Sequence, residues 1–69
     1  MKISARNTLK GVVKSITAGP VNAEVVLEIT PEIEVVSVIT KNSVESLGLT
    51  VGSEAYAVIK STDIMMAID

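Results

Sequence analysis

Apolar and polar positions alternate along most of this chain with the period of two that marks half-buried β-strands. From Leu9 to Ile16 a run rich in Val and Lys reads as a first strand, closed by the turn signal Ala18-Gly19-Pro20. From Val21 to Ile29, Glu24, Val26 and Glu28 alternate against Val25, Leu27 and Ile29, a second strand. Thr30-Pro31-Glu32 breaks the chain, because Pro31 lacks a ladder donor and fixes its own φ. Ile33 to Ile39 is a third strand and differs from the others. Its pairs Val35-Val36 and Val38-Ile39 are adjacent apolar residues, which point to opposite faces of a sheet. Both faces of that strand should therefore be covered, one by the core and one by a neighbouring subunit.

The pattern then changes period. Val44 and Leu47 sit three apart, with Thr40 at the N-cap position and Gly48 at C′, which predicts a helix of about two turns. Thr50-Val51-Gly52-Ser53 reads as a turn, Glu54 to Lys60 as a fourth strand and Ile64 to Ile68 as a fifth. No linker, repeat or low-complexity stretch divides the chain, so residues 1–69 form one domain. Five short strands with a small helix between the third and fourth describe an all-β, OB-like Greek-key barrel.

Composition alters this picture in one respect. A 69-residue chain buries only about 60% of its unfolded surface, so domains of this size usually need a staple. The chain has no Cys and no His, which excludes disulfides and the common zinc sites. Self-association remains, and a content of 48% hydrophobic residues with Tyr56 as the sole aromatic fits strands that pack on both sides. No apolar run approaches the roughly 18 residues of a membrane span. Met1-Lys2-Ile3-Ser4 lacks the apolar core of a signal peptide, and the absence of cysteine fits a cytoplasmic protein. Acids and bases are interspersed at a net charge of −2, so there is no basic surface of the kind that nucleic acid requires.

Three segments carry the candidate chemistry: Ser4-Ala5-Arg6, Thr40 to Ser43, and Lys60-Ser61. They offer short hydroxyls, backbone donors and single cations, which suit a small anion held by hydrogen bonds. Each has a plainer reading. For Thr40 it is a helix cap and nothing more, and for Arg6 and Lys60 it is a solvated cation. Arg6 nevertheless presents a planar fork that matches oxygen pairs on a tetrahedral anion. Nothing is placed for catalysis, since no nucleophile has a histidine base and no glycine-rich phosphate loop is present. The chain is expected not to be an enzyme.

Taken together, Ser4-Ala5-Arg6-Asn7-x-Leu9-x-Gly11, Glu24-Val25, Ile39-Thr40-x-x-Ser43, Leu47-x-Leu49-x-x-Gly52 and Ala55-x-Ala57-x-Ile59-Lys60-Ser61-x-x-Ile64-Met65 resemble the molbindins, the Mop or TOBE-type molybdate-binding domains, in their stand-alone form. The resemblance implies an OB-like fold, a homo-hexamer arranged as a trimer of dimers, and molybdate or tungstate bound between subunits, with no organic cofactor. It assigns oxyanion binding to Ser4, Arg6, Lys60 and Ser61 of one subunit and to Thr40 and Ser43 of another. A second kind of interface site is placed near Gly19, Val21 and Asn22. Asn7 and Gly11 are assigned to the backbone, and Lys10, Lys14 and Lys41 to solvent.

The resemblance favours a cytoplasmic protein that stores or buffers the oxyanion. A sensory module acting on a transporter or regulator would need the same residues. A nucleic-acid-binding OB module would need stacking aromatics, and the chain has no Phe or Trp. A purely structural oligomerisation domain would account for the apolar strands but not for Arg6, Lys60 and the hydroxyls.

Overall fold

The computed structural model describes all residues from Met1 to Asp69. Strand β1 (Asn7–Ala18) is followed by β2 (Asn22–Thr30), β3 (Ile33–Thr40), helix α1 (Lys41–Leu47), β4 (Glu54–Ile59) and a 3₁₀ turn, Ser61–Asp63. The sheet order is β3-β2-β1-β4, with every neighbouring pair antiparallel. Three consecutive strands form a meander and the fourth returns beside the first, which is a Greek key. The long return connection is the segment that carries α1.

Strand β1 organises the sheet by pairing differently along its two edges. Asn7 to Val12 pair with β4, and Val12 to Ala18 pair with β2. The partner changes around Val12 and Val13, and the β1–β2 register shifts between Val13 and Ser15. Such an irregularity bends a strand and increases its twist, so the sheet curls into a half-barrel. Val13 sits at this bend and is the most deeply buried apolar side chain, at 1% exposure. Its N–H donates to the Ser53 carbonyl (2.9 Å) and its carbonyl accepts from Gly52 N–H (2.8 Å), clasping the turn before β4. Val25 and Leu27 complete the buried cluster, with Ile16, Ile29, Ile39, Val44 and Leu49 packed around it.

Gly11 is required where β1 and β2 approach. A Cβ at this position would lie 2.5 Å from the Glu28 carbonyl oxygen, a backbone atom that cannot turn aside. The assignment of Gly11 to the backbone is therefore explained by close strand approach.

The helix is bounded as its capping residues predict. Thr40 Oγ1 accepts from Ser43 N–H at 3.1 Å. Gly48 adopts φ 66°, a left-handed conformation, and its N–H returns to carbonyls of the last turn. The strand ends are adjusted by a residue or two. β1 begins at Asn7 rather than Leu9 and runs to Ala18, and β4 stops at Ile59, leaving Lys60 to cap the 3₁₀ turn.

The fifth strand, expected from Ile64 to Ile68, does not form. A strand exists only by pairing, and this segment meets no free edge within its own chain. Its side chains stay in solvent, Met65 at 93% and Ile68 at 98% exposure. The outward face of β3 is likewise uncovered, with Val36 at 60% and Val38 at 65% exposure.

Gly11→Ala should destabilise the domain by roughly 1–3 kcal/mol, the usual cost of overpacking a closely packed site. Gly19→Ala, whose added methyl would meet one carbonyl at 3.2 Å, should cost less. Thermal or urea denaturation of the two variants gives the comparison.

Candidate anion-binding site

Alternation along β1 turns Asn7, Gly11 and Val13 inward and Arg6, Thr8, Lys10 and Val12 outward. Along β4, Ala55, Ala57 and Ile59 are half-buried, while Tyr56, Val58 and Lys60 are exposed. The last pair of the β1–β4 ladder is Asn7 with Ile59. Continuing that register by one residue sets Arg6 opposite Lys60, both on the outward side. Here the two chains part. Backbone bends occur at Ser4 and Arg6, and Lys60 begins the 3₁₀ turn, its carbonyl accepting from Asp63 N–H at 2.9 Å. Ser4 and Ser61 lie exposed in the segments that diverge from this end.

The cations of the chain differ in how they are neutralised. Lys10 pairs with Glu54 at 3.0 Å, and Lys14 pairs with Glu34. The hydrogen bond and charge of each glutamate raise the pKa of its lysine above the ordinary value. Arg6 and Lys60 make no ion pair. Lys2 and Lys41 are also unpaired, but neither faces a cation across a ladder. The end of the β1–β4 ladder is thus flanked by two cations without a paired carboxylate.

Thr40 and Ser43 form a second group. Thr40 Oγ1 donates to Ser43 Oγ at 2.8 Å while accepting from Ser43 N–H. Beside them lies the β1–β2 turn. Asn22 pairs with Thr40, the Val21 carbonyl accepts from Lys41 N–H at 2.9 Å, and Gly19 N–H donates to the Asn22 carbonyl at 2.7 Å. Gly19 thus spends its N–H on closing the turn. A shallow cleft here is lined by Pro20, Val21, Thr40, Lys41, Asn42 and Glu45.

The chain does not bring these two groups together. Arg6 and Lys60 stand at the start of β1, whereas Thr40 and Asn22 stand by its end, near the Ala18–Ala23 pair. Between them runs a 12-residue strand, on the order of 36 Å of contour at about 3.3 Å per residue. They are also on opposite flanks of the sheet, one on β4 and one on β3. No ladder pair or hydrogen bond within the chain joins the two groups.

Sequence reading assigned Asn7 to the backbone without a partner. Its Nδ2 donates to the Ile59 carbonyl at 3.4 Å, across 52 residues. Only the β1–β4 register reveals that bond, since nothing local relates the two positions.

A small Greek-key half-barrel with two unpaired cations at one strand end has the features of a binding module. Comparison with known proteins agrees. The TOBE domain model matches residues 3–66. Molybdenum-pterin-binding protein 3 of Clostridium pasteurianum is 54% identical over 66 residues, spanning 96% of this chain and 97% of the relative. The solved structure of MopII from Clostridium pasteurianum superposes with a TM-score of 0.90 at 51% identity, covering 97% of this chain and 100% of that one. ModG, described as a cytoplasmic molybdate-binding protein and solved with molybdate bound, gives a TM-score of 0.83 at 49% identity, over 88% of this chain and 43% of ModG. The chain belongs to the TOBE domain family, and the relatives described by function are binding proteins.

Because Thr40 closes the first turn of α1, Thr40→Val should lower stability by about 0.5–2 kcal/mol, the usual loss for a capping hydroxyl. Thr40→Ser, which keeps the oxygen, should stay close to the parent. Equilibrium denaturation of both variants without added anion checks this.

Proposed function

We propose that this protein is a cytoplasmic molybdate- or tungstate-binding protein that stores or buffers the oxyanion at interfaces between its own copies. The observation that carries the reading is that Arg6 and Lys60, which adjoin the last pair of the β1–β4 ladder, have no carboxylate paired to either. A bound dianion turns their mutual repulsion into two attractions. Ser4 and Ser61 add hydroxyl donors from the same copy, while Thr40 and Ser43 of another copy close the site. The names of the relatives, among them a molybdate-binding protein solved with its ligand, support the choice of anion.

The donor chemistry explains how such a site would select. Molybdate and tungstate at neutral pH are tetrahedral dianions whose oxygens all accept. Hydrogen phosphate carries an O–H, and a pocket of donors leaves that proton unpaired, at a cost of roughly 1–3 kcal/mol. Sulfate passes the same test and must be discriminated by its smaller size. A second class of site at the turn formed by Gly19, Val21 and Asn22 completes the proposal, with Gly19 shaping the turn and the cleft beside Thr40 receiving the ligand.

The assembly follows from the separation of the two groups and from the apolar surface left open on β3 and on residues 64–68. A hexamer built as a trimer of dimers satisfies both. Light scattering should return a mass several times 7.2 kDa, with sixfold expected. A folded monomer at micromolar concentration would remove the shared site.

Calorimetric titration with molybdate tests the site itself. Arg6→Ala and Lys60→Ala should each lose on the order of 2–5 kcal/mol, as desolvated charge pairs do. Ser43→Ala should lose about 0.5–1.5 kcal/mol, rising to roughly 3 if the charged acceptor strengthens the bond. Lys14→Ala, whose lysine is already committed to Glu34, should bind like the parent, and phosphate should bind far more weakly than molybdate. Equal losses at Lys14 and Arg6 would reduce the site to diffuse electrostatics.

A further inference from the structure

We propose that Asn7 is a positioning residue for the anion, holding Arg6 and Lys60 opposite one another by tying the Ile59 carbonyl to β1. This proposal rests on the reading of Arg6 and Lys60 as anion ligands. Its basis is the character of one hydrogen bond. The Asn7 Nδ2 bond to the Ile59 carbonyl is half-buried and spans 52 residues. The other side-chain hydrogen bonds are between exposed groups and, apart from the Lys10–Glu54 and Lys14–Glu34 pairs, span two or three residues. Asn7 is therefore the half-buried side chain whose hydrogen bond ties β1 to β4, the Lys10–Glu54 pair farther along the same ladder being exposed.

Its place in the ladder gives the bond its consequence. Asn7 and Ile59 are the last pair before both chains turn away. The end of an antiparallel ladder frays readily, and this end carries two like charges that push it apart. The side-chain amide adds a rung at that point. It pins the carbonyl of the peptide bond whose nitrogen belongs to Lys60, and Lys60 leaves that peptide at φ −65° into the 3₁₀ turn. Fixing this peptide fixes where the lysine side chain departs, while Arg6 departs from the residue adjoining Asn7. The cost of holding the two cations together is then met in the ligand-free protein, which is preorganisation for an anion. The chemistry also selects an amide. An aspartate here has no proton to donate to the carbonyl at neutral pH and would compete with the anion for both cations.

The test is a double-mutant cycle read by calorimetric titration of molybdate into the assembled protein. Asn7→Ala should weaken binding about tenfold, the size expected of one hydrogen bond. In the Lys60→Ala background the same change should add less than about twofold, because its effect passes through a lysine that is gone. Asn7→Leu, which keeps the branched shape without the donor, should behave as Asn7→Ala does. Full affinity in Asn7→Ala, or a tenfold loss that persists without Lys60, would overturn the proposal. Failure of both variants to assemble would assign Asn7 to folding alone and overturn it too. If Lys60→Ala itself leaves binding intact, the failure lies with the site reading, which separates the two.

Discussion

The close crossing of β2 over Gly11 is the constraint on which the rest of this structure depends. Because the Glu28 carbonyl occupies the space where a side chain would begin, β1 and β2 can draw together, and the sheet curls at the point where β1 changes partners. The curl brings Val13 against Val25 and Leu27 and places the Gly52–Ser53 turn on Val13. The domain has little else to hold it, since Val13, Ala23, Val25 and Leu27 are its buried apolar side chains. A core so small leaves stability dependent on backbone pairing and on whatever covers the apolar strand faces.

The same long strand separates the functional groups. β1 is in register with β4 over its first half and with β2 over its second, so its two ends serve different neighbours. Its start gathers cations, and its end adjoins the hydroxyls of Thr40 and Ser43. Within one chain no ladder pair or hydrogen bond joins the two groups. Binding and assembly are therefore linked in the proposed function: a copy that supplies charge needs another that supplies geometry. The uncovered face of β3 and the exposed Ile64, Met65, Met66 and Ile68 are the surfaces through which such association would bury apolar area.

Charge is partitioned with equal economy. Glutamates neutralise Lys10 and Lys14 along the outward face of β1, where exposed pairs contribute little to stability. Their effect is to leave Arg6 and Lys60, at the end of the β1–β4 ladder, as cations without partners. An anion arriving at that end meets two positive groups with no competing carboxylate paired to either. Net charge, at −2, conceals this local feature.

The sequence by itself determined what local physics controls. The period of two placed four strands to within two residues at most of their ends. The N-cap hydroxyl of Thr40 and the permissive backbone of Gly48 bounded the helix, and the motif residues pointed to the family. What the tertiary structure decided was everything that depends on pairing across long separations. The pairing of Asn7 with Ile59, which sets Arg6 and Lys60 at the same ladder end, and the bond of Asn7 to the Ile59 carbonyl both arise from a register that no local pattern encodes. Ile64 to Ile68 shows the same limit from the other side. Its apolar character was legible, but a strand is formed by its partner's hydrogen bonds, and within one chain this segment has no partner.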